Sequence, residues 1–190
     1  MLLDPQVLKP YSLRVHIDSP HAVETIARGF VKILAETYYP PSPVVFLCIG
    51  TDRSTGDSLG PLVGNRLKEK SFPNARVLGC LAEPVHAGNL QKVIQEIYSL
   101  YREPYIIAVD ASLGRSENIG TVKIGKGPIK PGAGVNKDLP PVGRLHITGI
   151  VNVGGFMEFF VLQNTRLFLV MRMAETISEG ITLGMKQFFV

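Results

Sequence analysis

The hydrophobic pattern changes period at Pro40. Before it, Ala22, Val23, Ile26, Ala27, Phe30, Val31 and Leu34 recur at helical spacing behind the cap signal Asp18–Ser19–Pro20, which predicts a helix over 21–38. After "YYPPSP" the run "VVFLCIG" is continuously apolar and rich in β-branched residues, the pattern of a strand covered on both faces. The alternation then repeats. A helix is expected over about 59–70, a strand at 75–80, an amphipathic helix at 88–103 and a second buried strand in "YIIAVDA". Strand and helix in alternation predict an α/β fold, a three-layer α/β/α sandwich on a mainly parallel sheet with right-handed crossovers.

The flanks read differently. Residues 1–20, with Pro5, Pro10 and Pro20, are expected to be an extended lead-in to one α/β domain over 1–190. Beyond Asp110, "GTVKIGKGPIK" alternates weakly and reads as a more exposed strand near 119–125, and "PGAGVNKDLPPVG" as a long loop of the kind that forms lids or substrate walls. "RLHITGIVNV" supplies a last strand at 145–152, and 156–187 is largely helical. In the last helix Leu167, Val170, Met171, Ala174, Ile177 and Ile181 mark a buried stripe, with Arg172, Glu175 and Glu179 toward water.

Composition narrows the function classes. The 190 residues are 45% hydrophobic and 19% charged, suited to one core. A formal net charge of +4 is scattered, without a Lys/Arg block interleaved with aromatics, so nucleic acid is not an expected partner. No apolar stretch has the length of a membrane span, and Asp4 and Pro5 interrupt any early signal-like run, so a cytoplasmic location and no membrane partner are expected. Cys48 and Cys80, each in or beside an apolar run, read as buried free thiols.

The chemistry gathers in loops. "GTDRSTGDSLGP" follows the first buried strand, but five residues separate Gly50 from Gly56 and Asp57 stands where a phosphate loop needs lysine, so the loop presents an acid. In a parallel sheet the loops after the strands share one edge, bringing Asp52 and Asp57, Glu83 and His86, and Asp110 toward one place. Carboxylates collected there bind a cation, position a water or share a proton. Each has a plainer role: Asp57 as a helix cap, Asp110 as a loop or cap acceptor, Asp52 and Glu83 in solvent, His86 at a helix start, His146 as a hydrogen-bonded core histidine. His16 and His21 carry no signal.

"GTDRSTGDSLGP", "VDASLG", "GKGPIKPGAGVNKDLPPVG" and "ITGIVNV" resemble, in order, segments of the germination protease (spore protease) family and its shorter sporulation relatives, over about residues 43–187. The resemblance implies a peptidase of sporulating cells in which Asp57 and Asp110 occupy the places of the two aspartates implicated in activity. It also implies a phosphorylase/hydrolase-like fold shared with hydrogenase maturation proteases. Thr51 stands where the family has Asn and Gly56 where germination protease has Pro, so the loop backbone differs. Gly50, Thr51, Asp52, Gly60, His86 and Gly132 are the expected substrate-binding positions, and amides of Gly50–Gly60 or Gly132–Gly134 are candidates to hold an oxyanion. The expected partner is a peptide or small spore protein, and self-association into a homo-oligomer stays open. No cofactor is required, while a divalent metal on Asp57, Asp110, His86 or Glu83 remains an alternative. So do a non-catalytic peptide- or metal-binding sporulation protein and a phosphorylase-like enzyme on the same fold.

Overall fold

A computed structural model describes residues 11–70, 72–131 and 139–189. Six strands form one mixed sheet: β1 (Ser12–His16), β2 (Val44–Cys48), β3 (Ala75–Leu78), β4 (Tyr105–Gly114), β5 (Thr121–Lys126) and β6 (Leu145–Val153), in the spatial order β1-β5-β6-β4-β2-β3. The four strands β6, β4, β2 and β3 are parallel, and β5 and β1 complete the sheet through antiparallel pairs. The α/β sandwich with a mainly parallel sheet is thus as the alternating pattern predicts.

Period-two alternation assigns each strand residue to a layer. From β2, Val44, Phe46 and Cys48 enter the larger core with Ile107 and Val109, under helices α1 (Ala22–Thr37), α2 (Leu59–Lys68) and α5 (Leu167–Phe189). Val45, Leu47 and Ile49 point the other way, with Ile106 and Ala108, against Leu90 and Ile97 of α3 (Leu90–Leu100). Three helices therefore cover one face and one covers the other. Both faces of β2 are fully buried, which is why the run carries no polar alternation.

Four expectations need correction. The lead-in contains a strand: Ser12–His16 pairs with Thr121–Gly125. That pairing, with α1 beneath, buries Val122 and Ile124, so β5 is not the exposed strand its glycines suggest. Residues 156–187 are largely helical, as expected, but in two pieces, and the buried stripe is narrower than read. A short α4 (Glu158–Gln163) stops at Asn164, and α5 begins at Leu167. As a result Val170, Ala174, Ile177 and Ile181 are buried, whereas Leu167 and Met171 are exposed. Finally, β4 does not end at Asp110 but runs four residues further, beside β6.

Candidate active site

β2 stops at Cys48, opposite Val109, so β4 continues past its neighbour with one edge open. From β2 the chain moves outward to β3, then crosses back to β4 on the other side. This reversal of direction is the topological switch point where open α/β sheets bind ligands. A cleft of about 490 Å³ lies there, lined by Gly50–Ser54 and Asp57 of the first loop, Leu81, Ala82, Pro84 and His86 of the second, and Asp110 of β4. Pro131 and Leu139 flank it on one side, Phe159 and Leu162 of α4 on another.

The first loop is closed on itself. The Thr51 amide donates to the Asp57 carbonyl (3.1 Å), the Gly50 amide to the Val85 carbonyl (2.8 Å), and the Ser58 hydroxyl to the Thr55 carbonyl (2.7 Å). Gly50 has φ +141, and a Cβ there would sit 1.9 Å from the Asp57 oxygen; only glycine lets the chain pass. Residues Gly56–Ser58 form a 3₁₀ turn ahead of α2. Neither that turn nor α2 is capped by a side-chain hydrogen bond, so Asp57 is not spent as a cap.

The two acids share this space. Asp110 is 7% exposed, and by strand alternation it lies on the Ile106–Ala108 face. Burial and the Asp57 charge drive its carboxyl well above the ordinary range, against the pull of the Ala111 amide. Burial raises Asp57 to about 6, opposed by the Thr51 amide. Both carboxyls are thus held more readily protonated than free aspartates, Asp110 by burial and its neighbour's charge together.

The remaining candidates divide. Thr51, Asp52 and His86 line the cleft with Gly50. His86 Nδ1 accepts from the Gly88 amide (3.0 Å), which leaves Nε2 as its other polar atom. Gly60 is not at the cleft: it presses α2 against β2, where a Cβ would meet the Ile49 oxygen at 2.0 Å, so its role is helix–strand approach. Glu83 is outside too, largely exposed and paired with Lys68 Nζ at 3.6 Å. The same ammonium reaches Cys80 Sγ at 3.2 Å; burial raises this thiol, but the Lys68 contact and neighbouring amides bring it below its usual value. Both cysteines are buried and free, and His146 is a core residue whose ring bonds the Gly127 carbonyl at 2.9 Å. Gly132 and the Gly132–Gly134 amides lie outside the described residues. Among the described residues no three of His, Cys, Asp and Glu gather as a metal-binding group.

Sequence reasoning missed two features. Ser54 is buried in the cleft wall, and its Oγ has no hydrogen-bond partner among the described residues. Helix α4 forms another wall, and the turn carrying Asp57 packs on its end: a Cβ on Gly56 would meet Thr165 Oγ1 at 2.7 Å and Leu162 Cδ2 at 2.8 Å. Gly154–Gly155 and Asn164 were the available signals for α4, since both punctuate the apolar run.

Residues 14–180 match the family described as "Protein of unknown function (DUF1256)". The chain belongs to that family. It is 61% identical over 141 residues to a relative in Bacillus subtilis (strain 168), "Uncharacterized protein YyaC", covering 74% of this chain and 69% of that one. In fold the DUF1256 chain is similar to the NiFe hydrogenase maturation protease HycI from Thermococcus kodakarensis KOD1, with a TM-score of 0.56 over 81% of this chain and 99% of that one. At 20% identity this likeness is one of fold. The resemblance to germination protease is carried by the loop motifs alone.

Proposed function

We propose that this DUF1256 protein is a peptidase that hydrolyses peptide bonds with Asp57 and Asp110, its substrate a peptide or small protein. The observation that carries the reading is the convergence of two carboxyls, from separate elements, in one cleft at the switch point, with Asp57 raising Asp110. The maturation-protease fold and the motif resemblance support it.

The different environments suggest the roles. Ionised Asp57 takes a proton from a water whose oxygen attacks the peptide carbonyl carbon. Asp110, still protonated, gives its proton to the leaving nitrogen as the C–N bond breaks. A proton passed from Asp57 to Asp110, directly or through solvent, resets the pair. Asp52 and His86 border the same space as substrate contacts. Phosphate chemistry is poorly served, since acids outnumber Arg53 in this cleft.

Digestion of an unbiased peptide library, read by mass spectrometry, tests the reading. Wild type should cut a defined subset, and Asp57→Asn and Asp110→Asn should each lose about two or more orders of magnitude in turnover. The double variant should be little worse than either, because the two act as a unit. Undiminished cleavage by Asp57→Asn would remove the dyad. Binding by wild type without cleavage would leave a binding protein.

A further inference from the structure

A cluster of reactive side chains lies outside the cleft. Lys68 ends α2, and Cys80 lies just past β3, at the head of the loop that carries Leu81, Pro84 and His86 into the cleft. Backbone sets the two against each other. Gly64, one turn before Lys68, lets α2 press on the strand end, where a Cβ would collide with the Gly79 oxygen. The Leu81 amide donates to Asn65 Oδ1 (3.1 Å), and the Cys80 amide closes a turn on the Glu83 carbonyl (3.2 Å). Between these ties Lys68 Nζ donates to Cys80 Sγ at 3.2 Å and lies 3.6 Å from Glu83 Oε2.

The pairing favours a thiolate. Burial opposes charge on Cys80, yet the Lys68 hydrogen bond and the amides of Glu83 and Ala82 bring the thiol below its usual value, and the same contact raises Lys68. Cys48 is the contrast, fully enclosed in β2, where burial drives its thiol far above the ordinary range. Access selects the reagent. Cys80 is 4% exposed, too little for a protein partner or a bulky electrophile, but Lys68, Gly79 and Glu83 around it line a cavity of about 730 Å³. The Lys68 side chain, 43% exposed, joins that space to the sulfur, so a molecule the size of a peroxide can arrive along it.

We propose that Lys68 and Cys80 form an oxidative cross-linking site, in which hydrogen peroxide converts the Cys80 sulfur to a sulfenic acid and the Lys68 amine captures it as a reversible S–N bond. The Cys80 thiolate attacks one peroxide oxygen; the S–O bond forms, the O–O bond breaks and hydroxide leaves, so sulfur gives up the two electrons that peroxide gains. Hydroxide takes a proton from the Lys68 ammonium and becomes water. The freed amine attacks the sulfenic sulfur, the S–N bond forms, and the sulfenic OH departs with a proton from the nitrogen as a second water. A dithiol reverses the step: one thiolate attacks the sulfur and expels the amine, and the second releases Cys80 as the reductant closes its own disulfide. The bond ties the end of α2 to the loop that carries His86. The site is independent of the peptidase reading.

The full chain, treated with hydrogen peroxide at neutral pH and digested without reductant, is read by mass spectrometry. Peptides joined through Lys68 and Cys80 should appear, about 2 Da lighter than their two parts together, and dithiothreitol should separate them. Cys48 should stay a free thiol. Lys68→Arg keeps a cation beside the sulfur but removes the amine, so Cys80 should be trapped by dimedone, or advance to sulfinic acid, about tenfold or more above wild type. Lys68 is half exposed, and an unchanged melting temperature verifies the fold of that variant. Three results overturn the proposal: a Cys80 that stays reduced at peroxide doses that oxidise free cysteine, a disulfide between Cys48 and Cys80, or equal dimedone trapping in wild type and Lys68→Arg.

Discussion

A carboxyl that stays protonated above its ordinary range opposes folding at neutral pH. Asp57 is raised from 3.8 to about 6, so between those values the folded chain holds a proton that the unfolded chain has released. Stability attributable to this group is therefore present below pH 4 and lost as pH rises through 6. Asp57→Asn should remove that loss and stabilise the protein at pH 7 by up to about 3 kcal/mol, with a flatter decline between pH 4 and 6. Urea unfolding across that range checks it, and a variant less stable than wild type at pH 7 would mean that the carboxylate is structurally favourable. Ser54 makes a second case at this scale. Its buried Oγ has no partner among the described residues, so Ser54→Ala should be neutral or stabilising, within about 1 kcal/mol, whereas a clear fall in melting temperature would reveal a bonded hydroxyl. Residue identity made Asp57 and Asp110 conspicuous in the sequence. Ser54 was not, because an orphaned hydroxyl is a property of its surroundings.

At the scale of elements, the apolar runs foretold β2, β4 and α1 well, since their residues are buried as their period requires. Elements defined by a distant partner were harder to read. β1 exists because β5 lies beside it, and the break between α4 and α5 follows where Thr165 and Leu162 meet the turn at Gly56. Gly60 looked like a ligand glycine because it sits in the same loop motif, yet it serves the approach of α2 to β2. Gly60→Ala should therefore cost about 2–4 kcal/mol, since its Cβ meets backbone at 2.0 Å and no side chain is free to yield. Gly127→Ala is the control. With φ +94 and nothing within 4 Å, it should cost only the roughly 1–2 kcal/mol of a left-handed backbone. Chemical denaturation of the two variants decides the point, and equal losses would contradict this account of Gly60.

At the scale of the molecule, the sheet's order turns two remote aspartates into neighbours. The convergence was legible, because strand–helix alternation implies that the loops share an edge. Which loop residues face inward was not: Glu83 and His86 stand three positions apart, and only His86 lines the cleft, while Glu83 joins Lys68. The raised carboxyls are likewise a property of the intact fold, since burial lifts both and the Asp57 charge lifts Asp110 further. Carbon-13 NMR titration of the Asp57 and Asp110 carboxyls tests this most directly, needing no substrate. In wild type, Asp57 should titrate near pH 6 and Asp110 well above the ordinary carboxyl range; in Asp57→Asn, the Asp110 transition should fall. Two carboxyls that both titrate near pH 4, each indifferent to substitution of the other, would contradict the account.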